Sequence, residues 1–167
     1  SEQGTTMLTK LGLGNKFQFP KPIELIKRVL QLATAKDDIV LDSFAGSGST
    51  AHAVLNLNKQ DGGDRKFILI EMEDYASDVT AERVKRVING YGEGSKIIEG
   101  TRGDFTYYEL GKPLFLDNGF LNEEIETNKI LEYVWYSEAK EPLNKPKQNY
   151  LLGTKNDTAY YFYYKKD

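Results

Sequence analysis

Three features of the chain predict an α/β fold. Short apolar runs at 39–41 and 67–70 alternate with stretches of helical periodicity, the pattern of a parallel sheet flanked by helices. The run from Ile39 to Ala51 reads as a strand that ends in Asp42, turns through Gly46-Ser47-Gly48 and opens a helix. Beyond Pro113 the texture changes to a helix, a Lys/Pro/Asn-rich stretch and a tyrosine-rich strand, so a small α+β extension is expected. The chain therefore divides, on this reading, into residues 1–112 and an extension of 113–167.

The first helix is expected near Pro22, a good first-turn residue, with Ile26, Val29, Leu30 and Ala33 recurring at i, i+3, i+4, i+7. Ile39–Leu41 is short and β-branched, as buried parallel strands are. The helix after Gly48 carries Ala51, Val54 and Leu55 on one face, and Asp61-Gly62-Gly63-Asp64 is a turn cluster. Phe67–Ile70 reads as a second buried strand, and Val84, Val87, Ile88 and Tyr91 as the stripe of the next helix. Asp104–Leu110 suggests a further strand, and Asn122–Tyr136 a helix followed by a linker at Lys140–Asn149.

Composition narrows the function classes. With 167 residues, 40% hydrophobic and 28% charged, the chain suits one ordinary globular core with an appendage. No run approaches a membrane span, and the lack of cysteine removes disulfides and thiolate zinc sites, which fits a cytoplasmic setting. A net charge of −3 lacks the basic excess of a self-sufficient DNA-binding domain.

Three kinds of nucleotide loop compete for Asp42–Thr50. A phosphate-cradling P-loop needs a lysine after its second glycine, and none is present. A dinucleotide fingerprint is formally met by Gly46, Gly48 and Ala51, with Glu71 following Gly48 by 23 residues (71 − 48). Yet Asp42 and Phe44 stand at the mouth, where a carboxylate repels pyrophosphate and suits a cationic, amino-bearing ligand. S-adenosylmethionine, with a sulfonium and an amino group and no phosphate, fits best.

The stretch Asp-Ser-Phe-Ala-Gly-Ser-Gly-Ser-Thr at 42–50 resembles the D-x-F-x-G-x-G motif of amino-DNA methyltransferases. Phe19-Pro20-Lys21-Pro22-Ile23-Glu24-Leu25 resembles the K-P-x-x-L segment before it, and Arg65–Glu71 resembles the next strand with its ribose-binding acid. The opening Gln3-Gly4-Thr5-Thr6-Met7-Leu8-Thr9-Lys10-Leu11 is similar to Q-G-x-x-x-L-x-x-L of type III restriction-modification Mod subunits, adenine-N6 methyltransferases of the permuted β class. The resemblance is strong over roughly 3–90, weaker to about 110, and absent beyond. It implies a Rossmann-like S-adenosylmethionine-dependent methyltransferase fold, DNA as substrate, and a Res subunit and a second Mod subunit as partners. The family's catalytic [DNS]-P-P-[YFW] loop is missing, for no two of Pro20, Pro22, Pro113, Pro142 and Pro146 are adjacent. The expectation is a C-terminal cofactor-binding piece of a larger enzyme, inactive by itself. A dinucleotide-dependent oxidoreductase piece, or a non-catalytic dimerisation or docking scaffold, are the alternatives.

Each expected site residue carries two readings. Gly46, Ser47 and Gly48 line the cofactor or merely close a turn. Ser49 and Thr50 touch ligand or only cap the helix. Asp42 faces the methionine amino group or accepts loop N–H bonds. Glu71 takes the ribose hydroxyls or is one acid in Glu71-Met72-Glu73-Asp74, with Glu73 as its rival. Met72 covers the adenine or packs, and Phe44 is a contact or a wedge. Lys21 approaches the cofactor carboxylate or is solvated, with Pro22 beside it contributing backbone. His52, the one histidine, has no catalytic partner at a telling spacing and is expected on the helix surface or in packing. Arg83, Lys85 and Arg86 read as a solvated helix face rather than a DNA patch. The aromatics at 160–164 suggest an edge strand at an interface rather than a base-stacking platform.

Overall fold

A computed structural model describes residues 2–144 and 150–165. It contains mixed helix and strand, with a small parallel sheet in the first of two compact units. The units divide between Tyr107 and Tyr108.

The first unit opens with α1 (Glu2–Lys10), a helix ahead of the one expected near Pro22. Gly4, Leu8 and Leu11 recur at i, i+4, i+7 and are all buried, so the signal was present but thinned by threonines. Gly4 has a packing reason, since a Cβ there would stand 2.1 Å from the Pro20 carbonyl oxygen. Helix α2 (Ile23–Ala33) then starts where Pro22, at φ −65° and ψ 133°, leaves extended backbone. Ile23 and Leu30 bury against α3 (Ser49–Asp61), with Ala53, Val54 and Leu57. Its other face leaves Leu25, Val29 and Leu32 exposed.

Strands β1 (Ile39–Asp42) and β2 (Lys66–Leu69) pair in parallel, with Val40 opposite Phe67 and Asp42 opposite Leu69. Both were expected to be buried, and each is covered on one face only. Val40, Phe67 and Leu69 pack inward, while Ile39, Leu41 and Ile68 remain 65%, 62% and 50% exposed. A strand points alternate side chains to opposite faces, and only one face of this sheet meets helices. The ladder runs past the strand ends through Ile70 N–H to Asp42 O (2.9 Å) and Ala45 N–H to Ile70 O (3.0 Å). Those two bonds bring the loop after β1 beside the residues that follow β2.

After β2 the chain coils through a 3₁₀ turn at Asp74–Ala76 and a π turn at Ser77–Ala81 into α4 (Glu82–Asn89). Val84 and Val87 join Leu8, Leu11, Leu13, Ala51 and Leu55 in one core. Tyr91 lies beyond that helix, in β3 (Gly90–Tyr91), which pairs with β4 (Ile98–Glu99). The strand expected at Asp104–Leu110 is not formed, and the border between the units falls inside that segment.

In the second unit α5 (Thr127–Ala139) starts five residues later than Asn122. Asn122 is held in a turn instead, its side chain donating to Pro113 O and accepting from Glu124 N–H. Strands β5 (Leu151–Lys155) and β6 (Thr158–Tyr161) form a hairpin on α5. Its core is Trp135, Ala139 and Leu152, with Tyr160 edge-on to Trp135 at 5.8 Å. Of the expected linker, residues 145–149 lie outside the described residues. Of the aromatic run, Tyr160 packs in this core and Tyr161 and Tyr163 are 65% and 63% exposed.

Candidate functional site

The site forms where the two parallel strands end, because β1 and β2 run side by side and release their chains at the same edge. From β1 comes Asp42. One carboxylate oxygen accepts the Phe44 N–H (3.1 Å) and the other accepts the Thr50 hydroxyl (2.5 Å). The acid thus clasps the loop across its two ends, and an acceptor-only carboxylate keeps further lone pairs for an incoming donor.

From β2 comes Glu71. It accepts the Gly46 N–H (2.7 Å) on one oxygen and the Met72 and Glu73 N–H groups (2.9 and 3.1 Å) on the other. Three backbone donors already occupy it, so a ribose diol gains both its acceptors only when one of those donors lets go. Tyr75 stands beside it, and burial together with the Glu71 and Glu73 carboxylates raises its phenol pKa.

The loop between has two glycines in the left-handed region, Gly46 at φ 53° and Gly48 at φ 75°. A Cβ on Gly48 would sit 3.1 Å from the Thr80 carbonyl oxygen, and one on Gly46 3.3 Å from the Phe17 ring. Only glycine meets both demands at either position. The Thr80 hydroxyl, in the π turn, donates to Gly46 O (2.5 Å). Ser47 and Ser49 are buried, and Ser49 donates to the Lys21 carbonyl (3.3 Å), which ties the Lys21-Pro22 segment to the loop. Lys21 enters the site by this carbonyl, with its side chain exposed, and Pro22 by opening α2. Phe44 and Met72 stand 86% and 89% exposed on either side of these contacts in sequence.

Arg83 differs from its expected place, and His52 takes the packing place rather than the helix surface. Arg83, read as part of a solvated face, is 0% exposed; it donates to Ser47 O (3.2 Å), Ser47 Oγ (2.8 Å) and Ser49 Oγ (2.8 Å). The periodicity held a signal for it, since 79, 83 and 87 recur at i, i+4, i+8 and Val79 and Val87 are buried. Its pKa is lowered to about 10, chiefly by burial, so it keeps its charge at neutral pH. His52 is 0% exposed and accepts from Arg83 Nε at 3.3 Å. Burial first, and then the neighbouring cation, lower its pKa to about 3, so it is neutral.

Residues 2–82 match the model of the N6_N4_Mtase family, DNA methylase. The chain is 46% identical over 80 residues to the type III restriction-modification enzyme StyLTI Mod subunit of Salmonella typhimurium, covering 48% of this chain and 12% of that protein. It is 40% identical over 94 residues to the EcoPI Mod subunit of Escherichia phage P1, covering 56% and 13%. The type II methyltransferase M.KpnI of Klebsiella pneumoniae is 42% identical over 71 residues, covering 42% and 17%. The chain thus spans about an eighth of the length of the Mod subunits it matches. Among the described residues no helix is long and apolar enough to cross a membrane.

Proposed function

We propose that residues 1–112 are the S-adenosylmethionine-binding half, Rossmann-like in fold, of a DNA adenine-N6 methyltransferase, and that the chain methylates nothing by itself. The observation that carries this reading is the Glu71 carboxylate on the Gly46 N–H at 2.7 Å. A phosphate-binding loop offers its N–H groups to an anion, whereas here a carboxylate already takes one, with a second carboxylate, Asp42, on the loop's other flank. That pair of acceptor carboxylates disfavours a pyrophosphate and suits a ligand with ammonium, sulfonium and hydroxyl groups.

In this reading Asp42 accepts the ammonium, Glu71 the ribose hydroxyls, and Phe44 and Met72 offer apolar cover to the adenine. Lys21, Pro22, Gly46, Ser47, Gly48, Ser49 and Thr50 shape the methionine end. When bound, the cofactor supplies an electrophilic methyl group. This chain binds and orients it; the residues that would hold the target amine belong to a Pro-Pro-aromatic loop that the sequence does not contain. In the parent protein, DNA, a Res subunit and a second Mod subunit are the partners.

Calorimetric titration with S-adenosylmethionine and S-adenosylhomocysteine, with NADH as control, tests the reading on wild type and Glu71→Ala. Saturable binding of the two methionine nucleosides, lost in Glu71→Ala, is expected. Binding of NADH alone would overturn it in favour of an oxidoreductase, and silence toward all three in favour of a scaffold.

A further inference from the structure

Arg83 is a fully buried cation with no ion pair among the described residues. Its acceptors are two serine hydroxyls, one carbonyl and one neutral imidazole, and its Nη2 has no partner at all. Burying a guanidinium without a carboxylate is costly, and partial charges of hydroxyls and a carbonyl balance it incompletely. The N-terminus of α3, which begins at Ser49, adds partial positive charge at the same place. The loop therefore has a cationic floor, Arg83 and the start of α3, and an anionic rim, Asp42 and Glu71. A zwitterionic amino-acid moiety carries the complementary pair of charges.

Geometry makes Arg83 more than a charge. From α4 it grips Ser47 and Ser49, and Ser49 passes the connection on to the Lys21 carbonyl. The bonds to the loop all come from Nη1, while Nε donates to His52, so one guanidinium ties the loop, the first turn of α3 and the Lys21-Pro22 segment into one unit. A lysine has the charge but not the planar group that reaches the loop with one nitrogen and His52 with another.

Resting on the methyltransferase reading above, we propose that Arg83 is a positioning residue of this site. It holds the Ser47–Ser49 loop in its ligand-ready form and supplies, through the two serines, the positive field that selects the carboxylate of the cofactor's methionine end.

The test compares S-adenosylmethionine with decarboxylated S-adenosylmethionine, which keeps the amine and sulfonium and lacks the carboxylate. Calorimetry on the wild type should show a preference on the order of tenfold for the carboxylate-bearing form. Arg83→Met should weaken both ligands by loosening the loop and S-adenosylmethionine further, which erases the preference, and Arg83→Lys should restore much of that preference. Equal weakening of both ligands, or no rescue by lysine, would overturn the charge role. A ligand-free arm follows the exchange of the Gly48 and His52 amides, which bond to Ala45 O and Gly48 O. Arg83→Met should exchange these amides at least about tenfold faster than Val87→Ala, a core truncation on the same helix that does not touch the loop. Equal rates in the two variants would overturn the positioning role. If the wild type binds neither nucleoside, the cofactor reading and the charge role both fail, while the exchange arm still decides whether Arg83 orders the loop.

Discussion

At the scale of single residues, the most consequential feature is a polar pair buried beside the loop. His52 is the only histidine, so between pH 7 and 5 it is the one side chain that ordinarily titrates. Its folded pKa, about 3, lies below the unfolded 6.5, so the unfolded chain binds the proton first. The neutral form's stability is therefore intact above about pH 6.5 and drains as pH falls toward 3. Integrated to pH 5, the loss is about 2 kcal/mol relative to pH 7. Urea unfolding at pH 7, 6 and 5 should show this loss in the wild type and a flat profile in His52→Gln; equal slopes would sink the assignment. Glu71 gives a second residue-scale test. Glu71→Gln keeps the shape but can no longer accept on both groups, and removes the charge. It is expected to loosen the Gly46 N–H bond and to weaken nucleoside binding about tenfold or more in calorimetry.

At the scale of elements, the strand-to-helix turn concentrates the backbone demands. Gly48 and Gly62 are both left-handed, but only Gly48 is hemmed in, by Thr80. Gly62→Ala should therefore cost about 1 kcal/mol from conformation alone. Gly48→Ala should cost more, about 2–3 kcal/mol, and should also weaken nucleoside binding, because the loop or Thr80 must move. Chemical denaturation of the two variants separates these outcomes, and equal losses would argue against a crowded loop. The π turn at Ser77–Ala81 explains why Thr80 and Arg83 both reach the loop: it shifts the helix phase just before α4. Helix periodicity located the buried stripe here, yet it did not say that an arginine rather than a valine would share it.

At the scale of the whole molecule, two compact units carry different reporters. The single tryptophan, Trp135, belongs to the second, where it caps Gly153 at 2.7 Å from a notional Cβ. Gly153→Ala should lower the midpoint of tryptophan-monitored unfolding and leave nucleoside affinity unchanged, since every candidate site residue lies in the first unit. A parallel loss of affinity would show that the second unit takes part in the site. The first unit also shows why two strands read as buried turned out half-covered. An apolar strand sequence records both faces, while burial depends on how many layers the sheet meets, and here helices meet one.

What the sequence determined by itself is the local grammar of the site. Asp42, the two glycines, Ser49 and the acid at the end of the next apolar run were legible because strand, turn and helix start each demand particular residue types over a few positions. Tertiary structure alone decided the rest. Glu71 comes to rest on Gly46, 25 residues away, because parallel pairing puts the two strand ends side by side. Arg83 and Thr80 enter from α4 and the π turn because that helix packs under the loop, and the Lys21 carbonyl enters because Ser49 reaches it. These are contacts between segments distant in the chain, set by packing and by hydrogen bonds that no short-range pattern encodes. A charge that looks solvated in one dimension can therefore lie at the bottom of a site in three.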